Sequence, residues 1–168
     1  MKKYELTTNT KMRFGRKLFQ IKALVSFGDV TAGDLGGYIE KEENLSNDGE
    51  SWVYGDALVY GDAQVSGNAR VYGNAQVSGD AWVSGDAWVS GDADYICFKG
   101  FGSESRNTTM FRTKNGDIYV CCGCFEGSLK EFSEKVKETH GTSKYAKEYL
   151  ACIEVAKIHF EIGEKDDK

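Results

Sequence analysis

Between Val53 and Ala93 the hydrophobic positions recur every six residues, at Val53, Val59, Val65, Val71, Val77, Val83 and Val89. Each valine is followed by Tyr or Ser, then Gly, then Asp or Asn, then Ala. A period of six fits neither a 3.6-residue helix nor a two-residue strand alternation. It fits a triangular coil in which three short strands complete a turn of about 18 residues. The pattern predicts that valine points into a narrow interior and that alanine fills the corner. Gly with Asp or Asn makes the bend, because these residues tolerate positive φ at least cost. Upstream, Ile39 and Leu45 are also six apart, whereas Leu45 to Val53 is eight, which places a two-residue bulge or loop between them.

The flanks follow other rules. "KYELT" and "RKLFQIKALVSF" read as strands that cap an open solenoid end, whose exposed edge would otherwise invite aggregation. "DYICFKGFG" reads as a strand and "TTMFRTKNGDIYVCCGCF" as a hairpin turning at Asn115-Gly116, with Ile118, Val120 and Cys122 on one face. Ser128 and Glu131 stand at capping-box spacing ahead of a helical stripe of Leu129, Phe132 and Val136, and Gly141 ends that helix. A second helix places Tyr145, Tyr149, Ile153, Ala156 and Phe160 inward. The fold expected is mainly β. An N-terminal β cap (1–29) leads into a hexapeptide β-helix (30–94), followed by an α+β domain of three strands and two helices (95–168).

Residues 53–94 resemble the hexapeptide-repeat, left-handed β-helix family, all seven units obeying its register. "FGDVTAGDLGGYIEKEENLS" looks like the entry coil of bacterial hexapeptide proteins, matched at Phe27, Val30, Gly36, Gly37, Tyr38 and Ile39. The tail, from "GSESRNTTMFR" through "CGCFEGSLKEF" to "ETHG" and "KEYL", resembles C-terminal modules of uncharacterised bacterial and phage solenoid proteins. That second resemblance implies a phage or prophage setting and brings no activity with it.

An 18-residue turn sets the outer face. Tyr54 is expected beneath Tyr72 and Ser90, Gln64 beneath Trp82, and Arg70 beneath Trp88, within cation–π reach. Tyr54, Tyr60, Tyr72, Trp82 and Trp88 together suggest an interface in a homo-oligomer, a dimer or trimer, since aromatic residues favour interfaces. A ligand platform is the sharper alternative.

Composition narrows the classes. The chain has 168 residues, 40% hydrophobic and 28% charged, with a net charge of −5. Residues 1–22 hold seven Lys/Arg against one Glu, whereas residues 53–94 hold six Asp and one Arg. An acidic solenoid argues against a nucleic-acid groove. No apolar run reaches the roughly 18 residues of a membrane span, so neither nucleic acid nor membrane is expected as a partner and the cytoplasm is the expected location. Five cysteines, three of them crowded at Cys121, Cys122 and Cys124, read as reduced structural thiols. Adjacent Cys121 and Cys122 face opposite sides of a strand, so no metal is expected. The Asp/Asn ladder of the repeat reads as solvated corners, and no cofactor is expected.

Many hexapeptide-repeat proteins are acyltransferases that use a histidine base, yet the only histidines here, His140 and His159, lie in the helical tail. An atypical acyltransferase is the alternative. The leading expectation is a non-enzymatic solenoid presenting its C-terminal domain to a host protein or a small, nucleotide-like anion. Small and hydroxyl residues with Arg can hold phosphate or carboxylate oxygens. The residues expected to do so are Ser103, Arg106, Asn107, Thr108, Thr109 and Arg112, with His140. A nucleophilic pair of Cys124 and His140 lacks an orienting residue, and no catalytic residue is assigned.

Overall fold

The computed structural model describes residues 2–162. Met1 of the expected cap and residues 163–168 of the expected C-terminal domain lie outside the described residues. The protein is mainly β and divides into two compact units, Met1–Asp92 and Ala93–Lys168.

In the first unit, β1 (Tyr4–Arg13) and β2 (Arg16–Ala23) form an antiparallel hairpin. Its turn residues Phe14 and Gly15 both have positive φ, 51° and 73°, the combination a tight primed hairpin turn requires. β2 then pairs with β3 (Leu35–Ile39). The expected cap is therefore an in-plane extension of one solenoid sheet. Seven two-residue strands follow: β4 (Trp52–Val53), β5 (Leu58–Val59), β6 (Gln64–Val65), β7 (Arg70–Val71), β8 (Gln76–Val77), β9 (Trp82–Val83) and β10 (Trp88–Val89).

These strands stack in parallel as three sheets, β4-β7-β10, β3-β5-β8 and β6-β9. Val53 pairs with Val71 and Val71 with Val89, an 18-residue coil. All seven repeat valines are at most 1% exposed, as are Ala57, Ala63, Ala69, Ala75, Ala81 and Ala87. Burying apolar side chains from every coil against the next is what stabilises such a stack. Corner glycines from Gly55 to Gly85 take φ between 56° and 70°, a region that costs a residue with a Cβ. The two extra residues before Val53 shift the pairing, so that Leu45 bridges Val65 across 20 positions. Asn44 seals this first coil. Its side-chain oxygen accepts from the backbone N–H groups of Glu40 and Lys41, while its amide donates to the carbonyls of Gly61 and Ala63.

The second unit is an antiparallel sheet in chain order: β11 (Tyr95–Phe101), β12 (Arg106–Arg112), β13 (Ile118–Cys122) and β14 (Phe125–Ser128). The expected count of three strands is corrected to four, because Gly123 at φ 60° turns "CGCF" back on itself. The β12–β13 turn also differs from expectation. Thr113 pairs with Asp117, and Gly116 N–H donates to the Thr113 carbonyl. Three residues therefore loop between them. Only Gly116 has positive φ there, whereas a two-residue primed turn demands it twice.

Helix α1 (Leu129–His140) opens on the Ser128/Glu131 capping box and stops at Gly141. Helix α2 (Lys144–His159) buries Ala146, Tyr149, Cys152, Ile153 and Ala156. Tyr145, expected inward, is 38% exposed. Ala146 takes the inward position and leads a stripe that runs 146, 149, 153, 156, 160, one residue out of phase with Tyr145. Ile118, Val120 and Cys122 do share the face beneath the helices. Among the described residues no helix is long and apolar enough to cross a membrane.

Candidate functional site

The β11–β12 connection is drawn against α2 by three local interactions. Gly102 N–H donates to Glu148 Oε2 at 2.9 Å, and the Tyr149 hydroxyl donates to the Phe101 carbonyl at 3.4 Å. Gly102, at φ 76°, lies directly on the Tyr149 phenol, where no side chain would fit.

From that phenol a line of hydrogen bonds runs inward. The Cys122 thiol donates to the Tyr149 oxygen at 3.9 Å, and the Thr108 hydroxyl donates to the Cys122 sulfur at 3.1 Å. Burial pushes the Tyr149 phenol up to about 12, with Cys122 adding to the shift and the Arg106 charge opposing it. Tyr149 is therefore a neutral donor at physiological pH.

Of the expected residues, His140 touches this tyrosine and Arg106 acts on it through its charge. The His140 ring stacks on Tyr149 with centroids 5.7 Å apart and also meets the edge of Tyr145 at 6.1 Å. Arg106 is exposed at the start of β12, its guanidinium lying over Gly123 where a Cβ would sit. Ser103 is exposed in the connecting loop and Asn107 is half-buried.

The remaining three are not open to a ligand at this face: Thr108 is buried behind Cys122, and the other two lie elsewhere. Thr108 and Thr109 are at most 1% exposed, and the Thr109 hydroxyl donates to the Cys97 sulfur. Arg112 closes the far end of β12, about 20 Å from Arg106 at strand rise. There it donates to the Phe160 carbonyl at 2.6 Å and pairs with Asp94 at 3.3 Å. Arg112 thus ties down the C-terminal end of α2.

Sequence reasoning read Tyr149 only as core and gave Glu148 no role. The signal for both was their position about one and a half helical turns after the Ser143 cap, on the face that a loop beginning with Gly102 could approach.

On the solenoid wall the five aromatic residues have partners of their own. Tyr54 donates to Asp29 at 2.8 Å, Tyr60 packs on Phe14, Tyr72 meets Trp88 edge-on at 5.5 Å, and Trp82 Nε1 donates to Ser66. The expected Arg70–Trp88 stacking is replaced. Their backbones do pair, yet the Arg70 guanidinium turns to the Asp29 carboxylate and the Tyr54 hydroxyl. A charge-assisted hydrogen bond outweighs a half-exposed cation–π contact. Arg70 in turn holds the Asp29 carboxyl below its ordinary range. Trp82, 40% exposed and paired in register with Gln64, is the most open of the five.

Against known proteins, residues 63–76 and 75–91 match the YdcK beta solenoid repeat, two overlapping stretches of the coil just described. No curated protein matches the chain.

Proposed function

We propose, from a chain whose residues 63–91 are a β-solenoid repeat, a non-enzymatic binding and assembly protein. The hexapeptide coil is left-handed, as the family resemblance implies, and acts as a rigid stalk. Subunits associate as a dimer or trimer through the open part of the aromatic wall around Trp82. The α+β unit is thereby presented to a host protein or a small anionic ligand in a cytoplasmic, phage or prophage setting.

One observation carries this reading: the His140 ring stacks on the neutral Tyr149 phenol, and the charge of the exposed Arg106 reaches the same phenol. The solenoid repeats, by contrast, contain no histidine. The exposed guanidinium of Arg106 suits phosphate or carboxylate oxygens.

Native mass spectrometry of freshly purified protein tests the proposal. The expected spectrum is a dimer or trimer carrying either a stoichiometric protein or an anionic small molecule, and Arg106→Ala removes that passenger while leaving the oligomer intact. Acyl-CoA turnover that disappears in His140→Ala would overturn the reading in favour of an acyltransferase.

A further inference from the structure

Helix α2 is apolar on two faces. Its inner stripe is spent on the core. A second set, Ala151, Val155 and Ile158, points outward, with Val155 47% and Ile158 78% exposed. Alongside runs β11, the edge strand of the sheet, next to β12. From it Phe98 and Phe101 rise as an edge-on pair with centroids 6.0 Å apart, both half-buried.

Between strand and helix lies a groove of about 630 Å³, walled by Phe98, Phe101, Ala151, Cys152 and Val155. Burial pushes the Cys152 thiol up to about 11, so this wall is uncharged at neutral pH.

The other end of the groove is polar, with two lysines against one acid. Lys144, Lys147 and Glu148 line it. Glu148 is the single acid there, and its carboxylate is already engaged by the Gly102 N–H at 2.9 Å and by Lys144 at 3.6 Å. Lys147 is exposed. The first turn of α2 contains no acid, so the partial positive charge of the helix N-terminus adds to the lysines. From Lys144 to Val155 the helix advances eleven residues, about 16 Å at 1.5 Å per residue. A long apolar slot closed by cations at one end complements a chain with an anionic head. A second copy packed symmetrically through the same groove would set like lysines against these.

We propose that this groove binds a free single-chain anionic amphiphile. Its alkyl chain lies along Phe98, Phe101 and Val155, and its carboxylate or sulfate head meets Lys144 and Lys147. The groove shares Phe101 and Glu148 with the anchored β11–β12 loop, but neither Arg106 nor His140 lines it, so the two readings are tested apart.

Titration calorimetry of the full-length protein, below micellar concentrations, compares dodecanoate, dodecan-1-ol and dodecyltrimethylammonium. Dodecanoate binds one to one, the alcohol about tenfold more weakly, the loss of roughly one charge contact, and the cation not at all. Lys147→Glu weakens dodecanoate by about tenfold or more. Val155→Arg abolishes its binding while circular dichroism and the melting temperature hold. Phe98→Ala weakens all chains alike, and Arg106→Ala changes none of these results. Equal binding of the three heads, binding by none of them, or dodecanoate binding that survives Val155→Arg overturns the proposal. So does a dimer that Val155→Arg dissolves, since a second copy is then the occupant.

Discussion

Lys3 is 4% exposed, its ammonium donating to the Ser51 carbonyl at 2.9 Å and lying 4.8 Å from the Phe27 ring centre. Burial pulls its pKa from 10.5 down to about 8, against the opposing attraction of Asp48. An unfolded chain at pH 9 therefore holds more of this proton than the native one, and stability rises with pH wherever that is so. The penalty of the enclosed charge is fully present below pH 8 and relieved between about 8 and 10.5. Melting temperatures of wild type and Lys3→Met, measured from pH 7 to 10, should show the wild type gaining on the variant as pH rises. A constant difference would mean the amine stays charged throughout. Gly37 makes a second residue-scale case. A Cβ there would sit 2.6 Å from the Ala57 carbonyl oxygen, a backbone atom that cannot swing aside. Gly37→Ala should cost roughly 1–3 kcal/mol, read by urea denaturation, whereas Ala at the half-buried Gly91, with open space at its Cβ position, should cost far less.

At the scale of elements, the cap of α1 is the most local device. The Ser128 hydroxyl accepts from Glu131 N–H, and Glu131 returns a carboxylate to the Ser128 N–H at 2.8 Å. Those bonds from Ser128 hold the Glu131 carboxyl below its ordinary range. Their contribution is present above that range and is lost as pH falls through it. Ser128→Ala should lower stability by about 1 kcal/mol near neutrality, and the deficit should shrink in acid. This cap was readable from sequence because it is built from four consecutive residues. So were the coil valines, whose neighbours in space are fixed by a constant offset. The misreadings occur where a distant or competing partner decides. Arg70 was assigned to Trp88 by the offset, but Asp29, in a loop outside the repeat, claims its guanidinium. Tyr145 was one residue out of phase because Ala146 fits against the sheet and a phenol does not. The fourth strand was missed because only the turn at Gly123 reveals that "FEGS" runs back along β13. Around Tyr149 the contributing residues are separated by up to 48 positions, which no local pattern encodes.

For the molecule as a whole, the repeat makes a quantitative demand. Each sheet receives one strand per 18 residues, so stability should grow by whole coils, each adding its interface with the next. Inserting a copy of residues 72–89 directly after Val89 restores Ser90 to a valine on the same sheet as β10. The new coil buries further valines and alanines without altering the entry coil at Asn44. Its expected signature is a single cooperative urea transition with a steeper slope, because slope follows the surface exposed on unfolding. A control insert of the same sequence lacking Ser78 breaks the six-residue phase. A one-residue slip turns an inward side chain to the opposite face, so the valine after the gap must either face solvent or distort a corner whose glycine needs positive φ. That control should unfold earlier and less cooperatively than the parent. Were both inserts equally well tolerated, the three-sided stacking of Val53, Val71 and Val89 would not be what holds the solenoid together.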